Sequence, residues 1–321
     1  FGDWATMAYT NAKVRENYSR RFRIRFPNEE LPAARPLRTT PIYDRLKAKG
    51  ALMGVAYGLE YPLWFGPEGK EPSEEVTFKR SSAHATVGAE CKAVRHDVGL
   101  METSGYARYL VEGRDAEPWL SRLLPNRMPK VGRIVLTPML NNAGKLIGDF
   151  TVARLDDERF FIFGSGPAEN YHLRWFEAHL PKSGATIRPL SSEMVGLSIA
   201  GPKSRELLQR LTHADVSNAA FPFRSFRKLQ LGMVPALVGR LTFTGGLGYE
   251  IWVRTDYQAA LYEEILRRGA DLGLRHFGGR ALNSLRLEKS WGSWAREYRP
   301  IYGPFEAGLD LFVDLKKNDF I

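Results

Sequence analysis

Two acidic residues follow glycine turns at matching positions, and either one could act on a bound ligand. Asp149 comes after the turn at 144–148, Glu250 comes after the turn at 245–249, and each opens an apolar strand. A carboxylate buried without a partner is unfavourable, so each position points to a side chain that faces a pocket. Asp149 could exchange a proton with an amine or stabilise an iminium cation. Glu250 could accept two parallel hydrogen bonds from a ring N–H and a neighbouring amino group. A surface turn aspartate and a strand glutamate on a solvated face are the alternatives.

Further candidates lie in a helical segment at 283–289 and in the residues after it. Arg286 could pair with a nearby acid, or its fork of donors could hold a ligand carboxylate. The residue pattern alone leaves both roles open. Trp294 could stack on a planar ring or could belong to the core.

Several common catalytic motifs fail on inspection of the sequence. Gly164 and Gly166 follow an apolar run, as in a dinucleotide-binding loop, but position 169 holds Glu169 instead of the third glycine. There is no Walker loop and no Gly-x-Ser-x-Gly elbow, and the histidines lack metal-ligand spacing. The acids are therefore the main candidates for chemistry.

The elements that position the acids form two similar units. Each unit begins with a strand, at 108–112 or 195–200, followed by a helix that Asp115 or Ser204 is predicted to cap. A further strand, a glycine turn, a strand opening with the acid, and a second helix complete each unit. Two copies favour pseudo-twofold packing, which would bring both acids to one shared region.

The N-terminal part of the chain differs from these units in composition and in predicted secondary structure. A helix is predicted within 5–20, and 27–41 is rich in proline and extended. The charged, polar stretch at 68–75 is a plausible domain boundary.

Charge and cysteine content limit the partners and the compartment. The formal net charge of +10 fits nucleic acid or a small polyanionic ligand. The dense basic run at 20–25 alternates with apolar residues, which favours a half-buried strand with a basic face over a nucleic-acid arm. The lone Cys91 excludes an internal disulfide and fits a reducing compartment, either the cytoplasm or, in a eukaryote, the mitochondrial matrix. No stretch approaches the length of a membrane span, and no secretory signal opens the chain, which starts at Phe1 and not at Met.

Four segments of the sequence resemble segments of the aminomethyltransferases, the T-proteins of glycine cleavage. The segment R-L-T-F-T-G-G-L-G-Y-E-I at 240–251 resembles their R-T-G-Y-T-G-E-x-G-x-E. T-P-M-L-N-N-A-G at 137–144, together with Asp149, resembles their M-L-N-x-x-G-G-x-x-D-D. The segments at 284–289 and 305–309 resemble S-L-R-L-E-A and P-x-E-A-G-L. The resemblance implies an α+β, T-protein-like folate-binding fold with two pseudo-repeated α/β units.

The N-terminal segments at 1–4, 35–44 and 61–65 resemble the junction in dimethylglycine and sarcosine dehydrogenases. In that family a flavin amine oxidase domain precedes a T-protein-like half. The resemblance therefore implies a junction segment at 1–75, derived from the end of the FAD-dependent oxidoreductase part, and a folate-binding domain at 76–321. It also implies a flavin domain before the first residue and a small β-barrel after the last.

The resemblance assigns roles to five residues. Asp149 matches the aspartate beside the folate nitrogens and is the expected catalytic residue, and Glu250 matches the glutamate that grips the pterin ring. Phe243 stands where these proteins have a tyrosine, Arg286 matches the arginine of L-R-L-E, and Trp294 falls at another tyrosine position.

Departures from the family pattern occur at three positions. Gly148 replaces the first aspartate of the acidic pair, Leu282 replaces an arginine, and Leu136 stands where a tyrosine is common.

The implied activity is oxidation of an N-methyl amine by FAD in the preceding domain, followed by transfer of the one-carbon unit from an iminium to tetrahydrofolate. The partners are then tetrahydrofolate, the iminium and the covalently linked flavin domain, with no nucleic acid and no membrane. A folate-binding or aminomethyltransferase-like protein without oxidase activity is the alternative, which folate binding without methylene transfer would reveal. A nucleic-acid partner is a third hypothesis, for which salt-sensitive RNA binding would be the sign.

Overall fold

The computed structural model describes residues 5–69, 72–317 and 319–321. Its helices are α1 (Met7–Ser19), α2 (Tyr43–Ala48), α3 (His84–His96), α4 (Ala116–Leu123), α5 (Glu169–Ala178), α6 (Ser204–Leu211), α7 (Gln258–Gly269) and α8 (Gly279–Leu287). Its strands are β1 (Ala51–Ala56), β2 (Leu59–Phe65), β3 (Val98–Glu102), β4 (Ala107–Glu112), β5 (Ile134–Leu140), β6 (Leu146–Arg154), β7 (Arg159–Gly164), β8 (Thr186–Pro189), β9 (Met194–Ala200), β10 (Phe226–Leu231), β11 (Val234–Gly239), β12 (Gly248–Arg254) and β13 (Leu274–His276).

Two sheets form the body of the molecule. The five-stranded sheet has the order β5-β6-β7-β4-β8 and is antiparallel. The six-stranded sheet has the order β10-β11-β12-β9-β3-β13 and is antiparallel except for β13, which pairs in parallel with β3. Apolar side chains of both sheets, including Phe161 and Phe163 from one and Leu237 and Trp252 from the other, pack together between them. This architecture confirms the predicted α+β class.

The two predicted units are present, but each has three strands between its helices where two were predicted, and the acids do not occupy equivalent strands. The first unit runs β4-α4-β5-β6-β7-α5 and the second runs β9-α6-β10-β11-β12-α7. In each sheet the first strand of the unit lies beside the last, β4 beside β7 and β9 beside β12. Asp149 lies on β6, the middle strand of its hairpin series, whereas Glu250 lies on the final strand β12. The equal spacing after the glycine turns therefore does not reflect structural equivalence.

Both predicted helix caps were wrong. Asp115 precedes α4, but its side chain makes no capping hydrogen bond because its backbone, with φ −99° and ψ 8°, lacks the extended conformation of a capping residue. Ser204 is itself the first residue of α6, behind Lys203 with φ −88° and ψ 1°. Its hydroxyl is buried and has no hydrogen-bond partner within the described chain.

The N-terminal segment confirms the predicted helix and corrects the predicted strand. α1 lies within the expected range, but residues 20–23 form turns and a bend and residues 24–26 have no regular structure, so no strand forms. Phe22 is 94% exposed and Ile24 is 72% exposed, so the alternating pattern buries no apolar face. No described strand pairs with this run, which removes the reason for extended structure. Segment 1–4, which resembles the start of the family junction, lies outside the described residues.

The hairpin of β1 and β2 packs against the six-stranded sheet. Ile42, Leu46, Ala51 and Phe65 belong to the apolar core that also contains the strands of that sheet. The carboxylate of Glu90 on α3 accepts hydrogen bonds from the backbone N–H groups of Phe65, at 2.7 Å, and of the residue before α8, at 2.9 Å. This contact ties α8 to the hairpin. The domain boundary near residue 75 stays a prediction.

Candidate functional site

A cavity of about 690 Å³ opens between the two sheets. On β6, Asp149 and Thr151 lie two residues apart and therefore point to the same face of the five-stranded sheet, toward the cavity. On β12, Glu250 and Trp252 point into the cavity in the same way from the six-stranded sheet. Each sheet thus contributes one carboxylate to a shared space.

The third wall of the cavity comes from α8 and the residues that follow it. Arg286 and Trp294 lie in this wall, and Phe243 closes the cavity from the loop between β11 and β12. All five residues singled out in the sequence therefore border one cavity. Their roles toward a ligand stay predictions.

The Asp149 carboxylate is poorly satisfied by the protein. Its Oδ1 atom is buried and has no hydrogen-bond partner in the described part of the chain. Burial raises the pKa of this carboxyl from 3.8 to about 7, and its own backbone N–H offsets this only in part. The group is therefore close to half ionised at neutral pH, which suits a residue that takes up and returns a proton.

The Glu250 carboxylate is similarly isolated. Burial raises its pKa from 4.5 to about 8, and no hydrogen bond or charge from the described residues counts among the causes. In the ligand-free protein this carboxyl is mostly protonated at pH 7. A ligand that offers N–H donors would favour its ionised form.

Arg286 is held by the protein rather than presented to the cavity. Its Nη1 donates to the backbone oxygen of Trp291 at 2.6 Å and to Glu297 Oε2 at 3.0 Å. Its Nη2 donates to Asn283 Oδ1 at 2.7 Å and to Glu297 Oε1 at 3.3 Å, and its Nε donates to the same Asn283 oxygen at 3.0 Å. All the guanidinium donors are engaged, so the geometry favours structural pairing, the first of the two roles considered. A ligand carboxylate could bind Arg286 only if one of these bonds broke.

Trp294 is supported from behind by the start of α5. Tyr171 stacks on its indole with ring centroids 5.9 Å apart, and His172 meets it edge-on at 5.3 Å. His172 is fully buried, and burial lowers its pKa to about 4, so the ring is neutral at pH 7. Phe243 is half-buried at the cavity wall. These aromatic walls can accommodate a flat ring.

Steric crowding explains why position 148 holds a glycine. A Cβ atom there would lie 2.6 Å from the Phe150 ring and 3.1 Å from Nε2 of His172. The aspartate that the family pattern has at this position would not fit beside these rings.

Tyr106 is a cavity residue that the sequence analysis missed. It lies in the turn before β4 and borders the cavity. Burial is the largest cause that raises the pKa of its phenol, and the negative charges of Glu250 and Asp149 raise it further. The positive charge of Arg286 lowers it. The hydroxyl therefore stays protonated within the electrostatic reach of both acids. A tyrosine in a turn carries no signal in the sequence that would have identified it.

The described residues show neither a metal site nor a membrane span. No group of three or more His, Cys, Asp and Glu side chains among them could hold a metal ion. None of the described helices combines the length and apolar character that crossing a bilayer requires.

Comparison with protein families identifies the class of this fold and site. The GCVT N-terminal domain model matches residues 42–317, and the FAD dependent oxidoreductase central domain model matches residues 1–40. The first match covers most of the chain, so the chain belongs to the GCVT N-terminal domain family. The family resemblance predicted from the motifs is confirmed.

Individual relatives show which members of the family this chain resembles. The mitochondrial dimethylglycine dehydrogenase of Rattus norvegicus is 35% identical, over 99% of this chain and 37% of that protein. The mitochondrial sarcosine dehydrogenase of Homo sapiens is 29% identical, over 94% of this chain and 37% of that protein. The chain thus spans about 37% of the length of these relatives. The glycine cleavage system aminomethyltransferase T from Bartonella henselae has the same fold, with a TM-score of 0.74 at 23% identity over 88% of this chain and 72% of that chain.

Proposed function

We propose that this chain is the folate-binding, methylene-transfer module of an FAD- and tetrahydrofolate-dependent N-methyl amine dehydrogenase of the dimethylglycine or sarcosine type. Support comes from the two family matches, which meet between residues 40 and 42, and from relatives that are named as dehydrogenases of these amines. FAD would belong to the preceding domain and tetrahydrofolate to this one. The relatives named as mitochondrial support a mitochondrial location if the source is eukaryotic, which we propose to be the matrix. For any other source we propose the cytoplasm.

The observation that carries the proposal is the pair of poorly satisfied carboxylates in one aromatic-walled cavity. The pterin ring of a folate is flat and presents a ring N–H beside an amino group. Glu250 has a carboxylate without partners in the part of the chain that the structure describes, and it can accept both hydrogen bonds. Phe243 and Trp294 offer ring faces or edges for packing. The Oδ1 atom of Asp149, which has no partner among the described residues, can accept a hydrogen bond from the ligand. The cavity residues therefore fit a folate.

The residues of this chain supply positioning and proton transfer. Tetrahydrofolate, when bound, supplies the amine nitrogens that accept the one-carbon unit. Ionised Asp149 attracts a cationic partner and accepts a proton, and its near-neutral pKa lets it return that proton without a large energetic cost. Glu250 fixes the orientation of the ring once it has lost its own proton. Arg286 acts through Glu297 by holding the loop that carries Trp294.

The test is a paired assay of Asp149→Asn in the full-length enzyme. Asparagine keeps the shape of the side chain but can neither attract a cation nor accept the proton. Amine oxidation should continue, formation of methylenetetrahydrofolate should fall by roughly 10²–10⁴-fold, and formaldehyde should appear instead. Asp157→Asn, at an aspartate whose side chain is 93% exposed, is the matched control. Unchanged methylenetetrahydrofolate yield in Asp149→Asn would refute the assigned role.

A further inference from the structure

One end of the cavity carries hydrogen-bond donors that the proposed chemistry does not use. Tyr61 on β2, Arg280 on α8 and Arg296 in the following loop all border the cavity. We call these three residues the arginine end. They come from different parts of the chain and converge only in the fold.

Both arginines keep donors available at the arginine end. Arg280 Nη1 donates to Glu74 at 2.6 Å, but its Nη2 is buried and has no hydrogen-bond partner in the described part of the chain. Arg296 Nη1 donates to Asn283 Oδ1 at 2.9 Å, and its side chain is otherwise exposed. A buried N–H of a guanidinium without an acceptor is unfavourable, so the position invites an acceptor.

The phenol of Tyr61 lies within the field of both arginines. Burial is the main cause that raises its pKa, and the charge of Glu30 adds to it, while Arg296 and Arg280 lower it. The hydroxyl therefore remains a neutral donor at physiological pH. Its ring packs close to the first residue of α8, where a Cβ on Gly279 would approach the ring to 3.3 Å.

The acids near this end already have partners. Glu74 accepts hydrogen bonds from Arg280 and from Ser81. Glu30 accepts from the backbone N–H of Val55 at 3.2 Å and from Arg35 Nη1 at 3.5 Å. Among the described residues, the groups at the arginine end that can still form hydrogen bonds are therefore mainly the cationic guanidinium donors.

We propose that the arginine end is a carboxylate-binding subsite of the transfer cavity. Guanidinium groups bind carboxylates through charge-assisted, often paired hydrogen bonds, and a phenol can add a further donor. This inference rests on the proposed function, in which two molecules with a carboxylate meet in the cavity. These are the glutamate tail of the folate and the amino-acid amine from which the one-carbon unit comes.

The test uses two variants of the full chain and one control. Arg296→Gln removes the exposed cation alone. Arg280→Gln is combined with Glu74→Gln, so that the loss of the arginine leaves no buried carboxylate unpaired. Arg275→Gln, at an exposed arginine outside the cavity lining, is the control for the change in net charge in Arg296→Gln, because the double variant leaves the net charge unchanged.

Binding is measured by anaerobic calorimetry with matched probes. Tetrahydrofolate is compared with tetrahydropteroate, which lacks the glutamate. N-methylglycine is compared with ethylmethylamine, which lacks the carboxylate, in the presence of saturating tetrahydropteroate. We expect both variants to weaken a carboxylate-bearing probe by about tenfold or more and to leave its carboxylate-free counterpart unchanged. An effect on tetrahydrofolate identifies the folate tail as the occupant, and an effect on N-methylglycine identifies the amino acid.

The outcomes separate this inference from the function on which it rests. If the variants bind all probes as the wild type does, the carboxylate subsite is refuted while the folate site stands. If the variants weaken tetrahydropteroate as strongly as tetrahydrofolate, the arginines act on the ring site or the fold, and the subsite is again refuted. If wild-type chain binds neither pterin, the proposed function fails and this inference fails with it.

Discussion

Glu250→Gln should stabilise the ligand-free protein while it weakens folate binding. The side chain is half-buried and has no hydrogen-bonding partner among the described residues, and its pKa is about 8 against an ordinary 4.5. Between these pH values the folded state holds a proton that the unfolded state has lost. The free energy of unfolding contributed by this group is therefore greatest below pH 4.5 and falls as the pH rises toward 8.

The raised pKa sets an upper limit on the size of this effect. A tenfold change in proton affinity corresponds to about 1.4 kcal/mol, so the difference between 4.5 and 8 amounts to about 5 kcal/mol above pH 8. The carboxylate is open to the cavity, and water there screens its charge. We therefore expect about 1–3 kcal/mol of the penalty to be measurable. Glutamine stays neutral at every pH and removes this part of the pH dependence.

The assay is urea denaturation of wild type and Glu250→Gln at pH 5 and at pH 9, without ligand. The free energies of unfolding should be similar at pH 5, and the variant should be more stable by about 1–3 kcal/mol at pH 9. Effects of glutamine that do not involve titration cancel in the comparison between the two pH values. Glu75→Gln, at an exposed glutamate, is the control and should show no such difference.

Binding of 5-formyltetrahydrofolate, which resists oxidation, completes the experiment. Its affinity for Glu250→Gln should fall by about tenfold or more, because charge-assisted hydrogen bonds are lost. If the stability of the variant relative to wild type does not rise between pH 5 and pH 9, the carboxylate has partners in solution, and the account of an isolated acid is refuted. If stability rises as expected but folate binds with unchanged affinity, Glu250 does not grip the ligand.

Further predictions concern pH and the supports of the site. Folate affinity should rise up to about tenfold per pH unit below pH 8 and level off above it, because Glu250 must lose its proton on binding; a flat profile in a fluorescence titration would contradict this. Glu297→Gln should lower the free energy of unfolding by about 1–3 kcal/mol in urea and weaken folate binding, since it loosens Arg286 and the loop of Trp294; unchanged binding would remove the loop from the site. Glu90→Leu should cost about 2–4 kcal/mol in the same assay, because two buried backbone N–H groups lose their acceptor; a neutral result would mean that water replaces it.

The sequence predicted the fold and the convergence of candidates on a cavity because these depend on recurrent motifs and on apolar strands. Asp149 and Glu250 each interrupt an apolar strand immediately after a glycine turn, which marks them against their surroundings. Strand order could not be predicted in the same way, because strand pairing joins residues that are distant in sequence. The apolar run at 160–163 was visible, but its place between β6 and β4 is a property of the whole sheet.

Side-chain partners were the least predictable feature. Arg286 has the same residue type and helical position whether it binds a ligand or a protein acid, and only the fold shows that Glu297 takes it. Tyr106 lies in a turn without a motif and enters the site through packing alone. The caps failed for a related reason: a capping residue type near a helix start does not fix the backbone angles that capping needs.

The division of the acids between the sheets makes the packing between them part of the site. Phe163 of the first sheet stacks on Trp252 of the second with ring centroids 4.0 Å apart, and both side chains border the cavity. Trp252 lies two residues from Glu250 on the same face of β12, so a shift of this stack would move that carboxylate relative to Asp149. An acid that must orient a ring and an acid that must meet its nitrogen need a fixed separation. The inter-sheet core therefore does more than stabilise the fold: it sets the distance on which the proposed transfer depends.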